Sequence, residues 1–222
     1  WKIASGELES GAMIEAMQAN GAPFLLSSGM SRWSDIDTLI NTLQEGGRAY
    51  AILQCTSRYP TALTDIGLNV VDEMRQRYGC PVGLSDHSGQ VFPALAAIAR
   101  GADVVEAHLT LDRHMFGPDV QASLTIAEFR HIADARNAFH EMAEHPVDKD
   151  AMAQALSPQR DMFQRSLALR STKPEGTVLT ANMLISKKPG TGIPEAEFEK
   201  LLGRQLICDV PSDRLLRWDD LG

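Results

Sequence analysis

Pro81-Val82-Gly83-Leu84-Ser85-Asp86-His87-Ser88 and Val104-Val105-Glu106-Ala107-His108-Leu109-Thr110-Leu111-Asp112-Arg113 are two short apolar runs, each ending in polar residues around a histidine. Three earlier runs have the same form. Lys2–Ser5 leads into Gly6-Glu7, Phe24–Ser27 into Ser28-Gly29-Met30, and Tyr50–Cys55 into Thr56-Ser57-Arg58-Tyr59-Pro60. The five begin roughly 20 to 30 residues apart, a spacing that predicts strands alternating with helices in a parallel sheet.

The segments between the runs carry helix signals. Ser34-Asp35-Ile36-Asp37 resembles a capping box, and Ile36, Leu39, Ile40 and Leu43 follow at i, i+3, i+4 and i+7. Val70, Val71 and Met74 mark a helix before Cys80, and Thr125-Ile126-Ala127-Glu128 caps another that buries Phe129, Ile132 and Ala133. Such stripes are core packing rather than cofactor contacts. A dinucleotide-binding sheet would show GxGxxG after its first strand, and that motif is absent. Polar residues crowd instead at the C-terminal ends of all five strands, where a (β/α)8 barrel builds its site. Five strands are three short of a closed barrel. Because Trp1 already stands inside a strand-like run, the chain is expected to be part of a longer barrel protein.

Beyond about residue 144 the character changes. Residues 145–162 are polar and strand-free, a predicted linker with some helix. Residues 163–222 hold short strand candidates at Ser166–Leu169, Val178–Leu179, Met183–Ser186 and Leu206–Val210, broken by Pro174, Gly176, Pro189-Gly190 and Pro211. A small β-rich domain therefore follows an α/β domain over 1–144.

Of the 222 residues, 44% are hydrophobic and 23% charged, ordinary for a globular protein. The net charge of −8 argues against nucleic acid as a partner but leaves room for a locally basic pocket. No apolar run is long enough to span a membrane. Cys55, Cys80 and Cys208 form no CxxC pair, so neither a structural zinc site nor a disulfide framework is predicted, and a reducing cytoplasm fits. A nucleophilic Cys55 has no histidine motif beside it in sequence and is read as packing.

Ser5, Ser27 and Ser85 end three strands near Lys2, which fits either an anion site for phosphate or carboxylate or simple caps for the following helices. His87 and His108 fit either a shared metal ion or satisfied rim residues. Glu7, Asp86, Glu106 and Asp119 stand ready as acceptors for the rings or as acid/base groups. His114, His131, His140 and His145 read as solvated.

In order along the chain, Lys2–Glu7, Leu26–Met30, Cys55–Pro60, Pro81–Ser88, Glu106–Arg113, Gly117-Pro118-Asp119, Arg165-Ser166-Leu167, Lys187–Ile193 and Leu202-Gly203 resemble the N-acetylneuraminate (sialic acid) synthase family. The resemblance implies strands four to eight of a TIM barrel followed by a small antifreeze-like (SAF, β-clip) domain, in a domain-swapped homodimer. It also implies condensation of phosphoenolpyruvate with an N-acetylmannosamine-type sugar to a nine-carbon 2-keto sugar acid and phosphate. His87 and His108 would hold a divalent metal, Mn2+ in most members with Mg2+ or Co2+ as alternatives, to polarise the sugar aldehyde. Lys2, Ser5, Ser27 and Ser85 would bind phosphoenolpyruvate, and Ser57, a further substrate-binding candidate, stands where many members carry an asparagine. Glu7 would handle acid/base chemistry or water, Tyr59 and Asp119 would face the sugar, and Lys188 would reach the partner's sugar site.

Three departures touch the sugar side. Ala107 replaces a common lysine, Val120-Gln121 replaces His-Lys after Gly117-Pro118-Asp119, and Lys188 replaces an arginine, losing its planar fork. A legionaminate, pseudaminate or other nonulosonate synthase is the close alternative. A non-catalytic carbohydrate-binding or regulatory remnant is the alternative of another class.

Overall fold

Apolar and β-branched residues in the five runs form the strands they predict. In the computed structural model, which describes residues 1–222, these are β1 (Lys2–Ile3), β2 (Phe24–Ser27), β3 (Tyr50–Cys55), β4 (Val82–Asp86) and β5 (Val104–Thr110). A sixth strand, β6 (Ser123–Thr125), adds to the five expected; three residues were too short a run to show a strand pattern. All pair in parallel in the order β1-β2-β3-β4-β5-β6.

The sheet is rolled, and one ion pair demonstrates it. In a flat sheet, β1 and β5 would stand four spacings of about 4.8 Å apart, roughly 19 Å. Yet Lys2 Nζ lies 3.1 Å from Glu106 Oε1. Only a barrel-like curve brings those two side chains together.

The helices α1 (Gly11–Ala19), α2 (Trp33–Glu45), α3 (Leu68–Tyr78), α4 (Val91–Ala99) and α5 (Ile126–Glu144) alternate with the strands. The α2 stripe Ile36, Leu39, Ile40 and Leu43 packs in one core cluster with Ile3, Leu26, Ile52 and Val82 of the sheet. Burying each such side chain is worth about 1.5–3 kcal/mol. The start of α2 differs from expectation. Its cap is Arg32, whose backbone N–H donates to Asp35 Oδ2 at 2.8 Å, while Ser34 already lies inside the helix. The acidic residue at the third helical position matters more here than the hydroxyl.

At α5 the expected box is present. Thr125 accepts from the Glu128 N–H, and Glu128 Oε2 accepts from the Thr125 N–H at 2.7 Å. Arg113 adds a 2.7 Å contact to each Glu128 oxygen and donates to the Gly89 carbonyl, tying the loop after β5 to the loop after β4. Arg113, with the Thr125 N–H, holds the Glu128 pKa down at about 2. A carboxylate with a depressed pKa stabilises the fold above its unfolded value of about 4.3, and that contribution fades as pH falls through the folded value. The pair is partly exposed, so its worth is roughly 0.5–1 kcal/mol. Thermal melts of wild type and Glu128→Gln should therefore differ at neutral pH and converge between about pH 4.5 and pH 2. A gap that stays constant over that range would contradict the pairing.

The first unit, Trp1–His145, contains this barrel segment; the second is Pro146–Gly222. Within the second, α6 (Lys149–Ala155) and α7 (Ser157–Phe163) occupy the stretch read as a linker. β7 (Ser166–Leu169) and β8 (Leu184–Lys187) pair antiparallel. The candidates at Val178 and Leu206–Val210 make isolated bridges rather than strands, namely Val178 with Gln205, Lys173 with Val210 and Leu206 with Leu221. Prolines and glycines interrupt longer ladders there. Leu167, Leu169, Leu179, Ile193, Leu206 and Leu216 fill this unit's own core, and the short helix α8 (Phe198–Leu201) adds Leu201. A buried carboxylate, Asp220, is answered by two Arg214 contacts at 2.7 and 2.8 Å, which hold its pKa down. No helix is long and apolar enough to cross a membrane.

Candidate active site at the strand ends

Strand ends on one rim converge into two adjoining clusters. The first centres on a cation. Lys2 Nζ donates to Ser27 Oγ at 2.6 Å and pairs with Glu106, and Ser85 Oγ donates to the same Glu106 oxygen at 2.7 Å. Ser5 Oγ and Ser57 Oγ are 2.9 Å apart. That pair meets across β2 because Gly29 follows the strand there; a Cβ at Gly29 would overlap Ser57 Oγ and crowd Ser5. Met30 next to it takes φ 60, the left-handed region that non-glycine residues avoid at a cost of about 1–2 kcal/mol.

A donor count shows what this cluster can bind. An ammonium has three N–H donors, and two of Lys2's are engaged. Ser27 accepts from Lys2, so its own hydroxyl hydrogen is free. Ser5 and Ser57 share one hydrogen, which leaves the other. Ser85 is the exception, since its hydrogen is occupied by Glu106. Free donors thus remain on Lys2, on Ser27 and in the Ser5–Ser57 pair, the residue types of an anion site.

The second cluster is the histidine pair. His87, buried at 6% exposure, follows β4, and His108 lies in β5. Their ring centres are 5.1 Å apart. His87 Nδ1 lies 3.1 Å from the Thr56 carbonyl, which can only accept, so in the neutral ring Nδ1 carries the proton and Nε2 keeps its lone pair. Burial disfavours the charged ring, but hydrogen bonds with Cys55 and Thr56 and the nearby Asp86 outweigh it and hold the His87 pKa above its usual value. Burial likewise pushes Asp86 up, against the two bonds it accepts from Ser88. Tyr59 stacks on His87 at 4.3 Å and meets His108 edge-on at 5.6 Å. Its hydroxyl is 3.4 Å from His87 Nε2. Asp119 Oδ2 is 3.7 Å from His108 Nδ1.

This donor set fits a divalent ion with two protein ligands. One ion about 2.1 Å from a nitrogen of each ring requires ring centres roughly 5 Å apart. A His87 ring that donates through Nδ1 to a carbonyl is also the usual arrangement behind a metal-binding nitrogen. No group of three or more His, Cys, Asp or Glu side chains converges to hold an ion. His87 and His108 would therefore supply two positions and leave the others to water or substrate oxygens.

The predicted residues do not all meet. Lys2, Ser27 and Ser85 join through Glu106, Ser5 joins Ser57, and Tyr59 and Asp119 join the histidines. Glu7 is exposed on the loop after β1, where it accepts from Ser10 at 2.8 Å, and no hydrogen bond links it to either cluster. Lys188 lies in the second unit, 5.4 Å from the Phe163 ring. Glu106 emerges as the hub of the cation cluster, a role visible in sequence only as a strand-end acid. The Thr56 carbonyl was invisible, because a backbone acceptor leaves no trace in residue type.

Residues 1–147 match the model of the NeuB family, and residues 164–222 match that of the SAF domain. The chain belongs to the NeuB family. It is 31% identical over 228 residues to the protein MJ1065 of Methanocaldococcus jannaschii, covering 100% of this chain and 65% of that protein. It is 27% identical to the N,N'-diacetyllegionaminic acid synthase of Campylobacter jejuni, covering 98% and 65%. Among solved structures, the N-acetylneuraminic acid synthetase of Leptospira borgpetersenii superposes with a TM-score of 0.65 at 28% identity, over 73% of this chain and 57% of that one. This NeuB-family chain thus spans about 65% of the length of the curated relatives it matches.

Proposed function

We propose that this NeuB-family protein is a nonulosonate synthase. It joins phosphoenolpyruvate to the open-chain aldehyde of an acetamido sugar, giving a nine-carbon 2-keto sugar acid and phosphate. One observation carries the reading: the free donors of Lys2, Ser27 and the Ser5–Ser57 pair share a rim with two imidazoles whose ring centres are 5.1 Å apart, which supports an anion site beside a site for one ion. An electron-rich enol phosphate and an aldehyde need those two kinds of support side by side.

A divalent ion at His87 and His108, Mn2+ in the first place and Mg2+ or Co2+ otherwise, would supply Lewis-acid polarisation of the aldehyde. Lys2 and the serines hold the phosphate or carboxylate of phosphoenolpyruvate and offset its charge. Tyr59 and Asp119, against the histidines, orient the sugar. Carbon 3 of phosphoenolpyruvate bonds to the aldehyde carbon as a proton from water turns the aldehyde oxygen into a hydroxyl. C2 then takes up water, whose proton is released to solvent by way of Glu7 on the β1 loop, and the new C2 hydroxyl gives its own proton to the departing phosphate. Phosphate departs by C–O cleavage. Glu7's exposed position on the β1 loop suits contact with solvent water.

A domain-swapped homodimer is part of the proposal, with Lys188 of one subunit serving the sugar site of the other. Exposed apolar side chains around the rim, Met30, Tyr59, Leu111, Met115 and Phe116, support a covered mouth. The sugar is of the N-acetylmannosamine type, and the small Ala107 and the flexible Lys188 favour testing legionaminate and pseudaminate precursors beside it. Phosphate release should appear when the intact protein receives Mn2+, phosphoenolpyruvate and one of these sugars, and not with phosphoenolpyruvate alone. No release with any member of the panel would overturn the assignment.

A further inference from the structure

Thr61 lies two residues beyond Tyr59 and is buried to 3% exposure, with its backbone N–H turned to the His87 main chain and its hydroxyl to the turn that holds the His87 ring. Its backbone N–H donates to the His87 carbonyl at 2.9 Å. Its hydroxyl faces two carbonyls, Arg58 at 2.8 Å and Thr56 at 3.2 Å. The Thr56 carbonyl is the group that fixes the His87 ring at Nδ1, and it also receives the Arg58 N–H at 2.8 Å. Thr56 is anchored in turn by its own hydroxyl, which donates to the Asp65 carbonyl at 2.6 Å. One threonine therefore clamps the His87 main chain on one side and the acceptor of the His87 ring on the other. The same hydroxyl closes the turn that carries Tyr59 against the ring.

We infer that Thr61 is a positioning residue for His87. It sets which ring nitrogen bears the proton and where the free Nε2 lone pair points. The inference rests on the reading of His87 as a metal ligand, and outer partners of that kind typically change metal affinity by about 10- to 100-fold when removed. Replacing the hydroxyl leaves the Arg58 carbonyl without that donor and loosens the Thr56 carbonyl, while the backbone clamp stays.

The test uses Thr61→Val, which keeps the shape, and Thr61→Ser, which keeps the hydroxyl. Titration with Mn2+ alone should show affinity about 10-fold weaker in Thr61→Val and within about 2-fold of wild type in Thr61→Ser. Nitrogen-15 NMR of the metal-free protein should show the wild-type His87 ring protonated at Nδ1, with mixed tautomers in Thr61→Val. If Thr61→Val does not fold, Thr61→Ser and the wild-type tautomer still decide the matter. A wild-type ring protonated at Nε2, or a Thr61→Ser variant weakened about 10-fold, overturns the inference. His87→Ala separates the two levels. If it leaves Mn2+ affinity unchanged, the metal reading fails; if it abolishes binding while Thr61→Val stays at wild-type affinity, only the role of Thr61 fails.

Discussion

His87→Ala should lower sugar-dependent phosphate release by about a thousandfold while the protein remains folded. Polarising a carbonyl through a bound cation is worth several kcal/mol, and each 1.36 kcal/mol is a factor of ten in rate. The substitution removes one of only two imidazoles at the site, and no third carboxylate or thiolate converges to replace it. The fold should survive because the ring's protein bonds are few: Nδ1 to the Thr56 carbonyl, a long contact with Cys55 and a long contact with the Tyr59 hydroxyl. The Thr56 carbonyl keeps its Arg58 and Thr61 donors. Steady-state kinetics beside circular dichroism would check both halves. Activity within tenfold of wild type would remove His87 from the chemistry.

Gly89→Ala should destabilise the first unit by about 2–4 kcal/mol and loosen the sugar side of the rim with it. Gly89 has φ 67, where a side chain costs about 1–2 kcal/mol in backbone strain. A Cβ there would also overlap the Gln121 carbonyl oxygen, a backbone atom that cannot rotate away. Relief requires the loop that follows His87 to part from the turn that carries Asp119. That parting also disturbs the Arg113 bond to the Gly89 carbonyl. Urea unfolding should show the lower midpoint, and the KM for the sugar should rise more than that for phosphoenolpyruvate, because Lys2 and Ser27 lie on β1 and β2 and Ser5 in the turn after β1, away from Gly89. Unchanged stability would mean that the two loops are free to separate.

Much of this arrangement was legible in the residues. Three of the five strands, Phe24–Ser27, Tyr50–Cys55 and Val82–Asp86, have the ends their apolar runs indicate, because each run passes abruptly into polar residues. The barrel-like curve followed from polar strand ends on one rim, and the Lys2–Glu106 pair displays it. Ser123–Thr125 escaped detection because its register with His108–Thr110, rather than any pattern of its own, makes it a strand. In the second unit, proline and glycine punctuation indicated short β pieces without saying which would pair into a ladder. The site was legible at its side chains and not at its backbone. Ser27 and Lys2 are found bonded as their types suggested, whereas the Thr56 carbonyl and the Thr61 clamp depend on a turn whose closure no residue pattern announces. Glu7 shows the opposite limit, since its place in a motif does not bring it into contact with the clusters.

The central claim is that His87 and His108 hold one divalent ion between them, and pulsed EPR of the protein loaded with one equivalent of Mn2+ tests it most directly. The expected spectrum carries nitrogen couplings from two imidazoles, falling to one in His108→Ala and in His87→Ala. A spectrum of fully hydrated Mn2+ with no nitrogen coupling, or one that neither substitution alters, would contradict it.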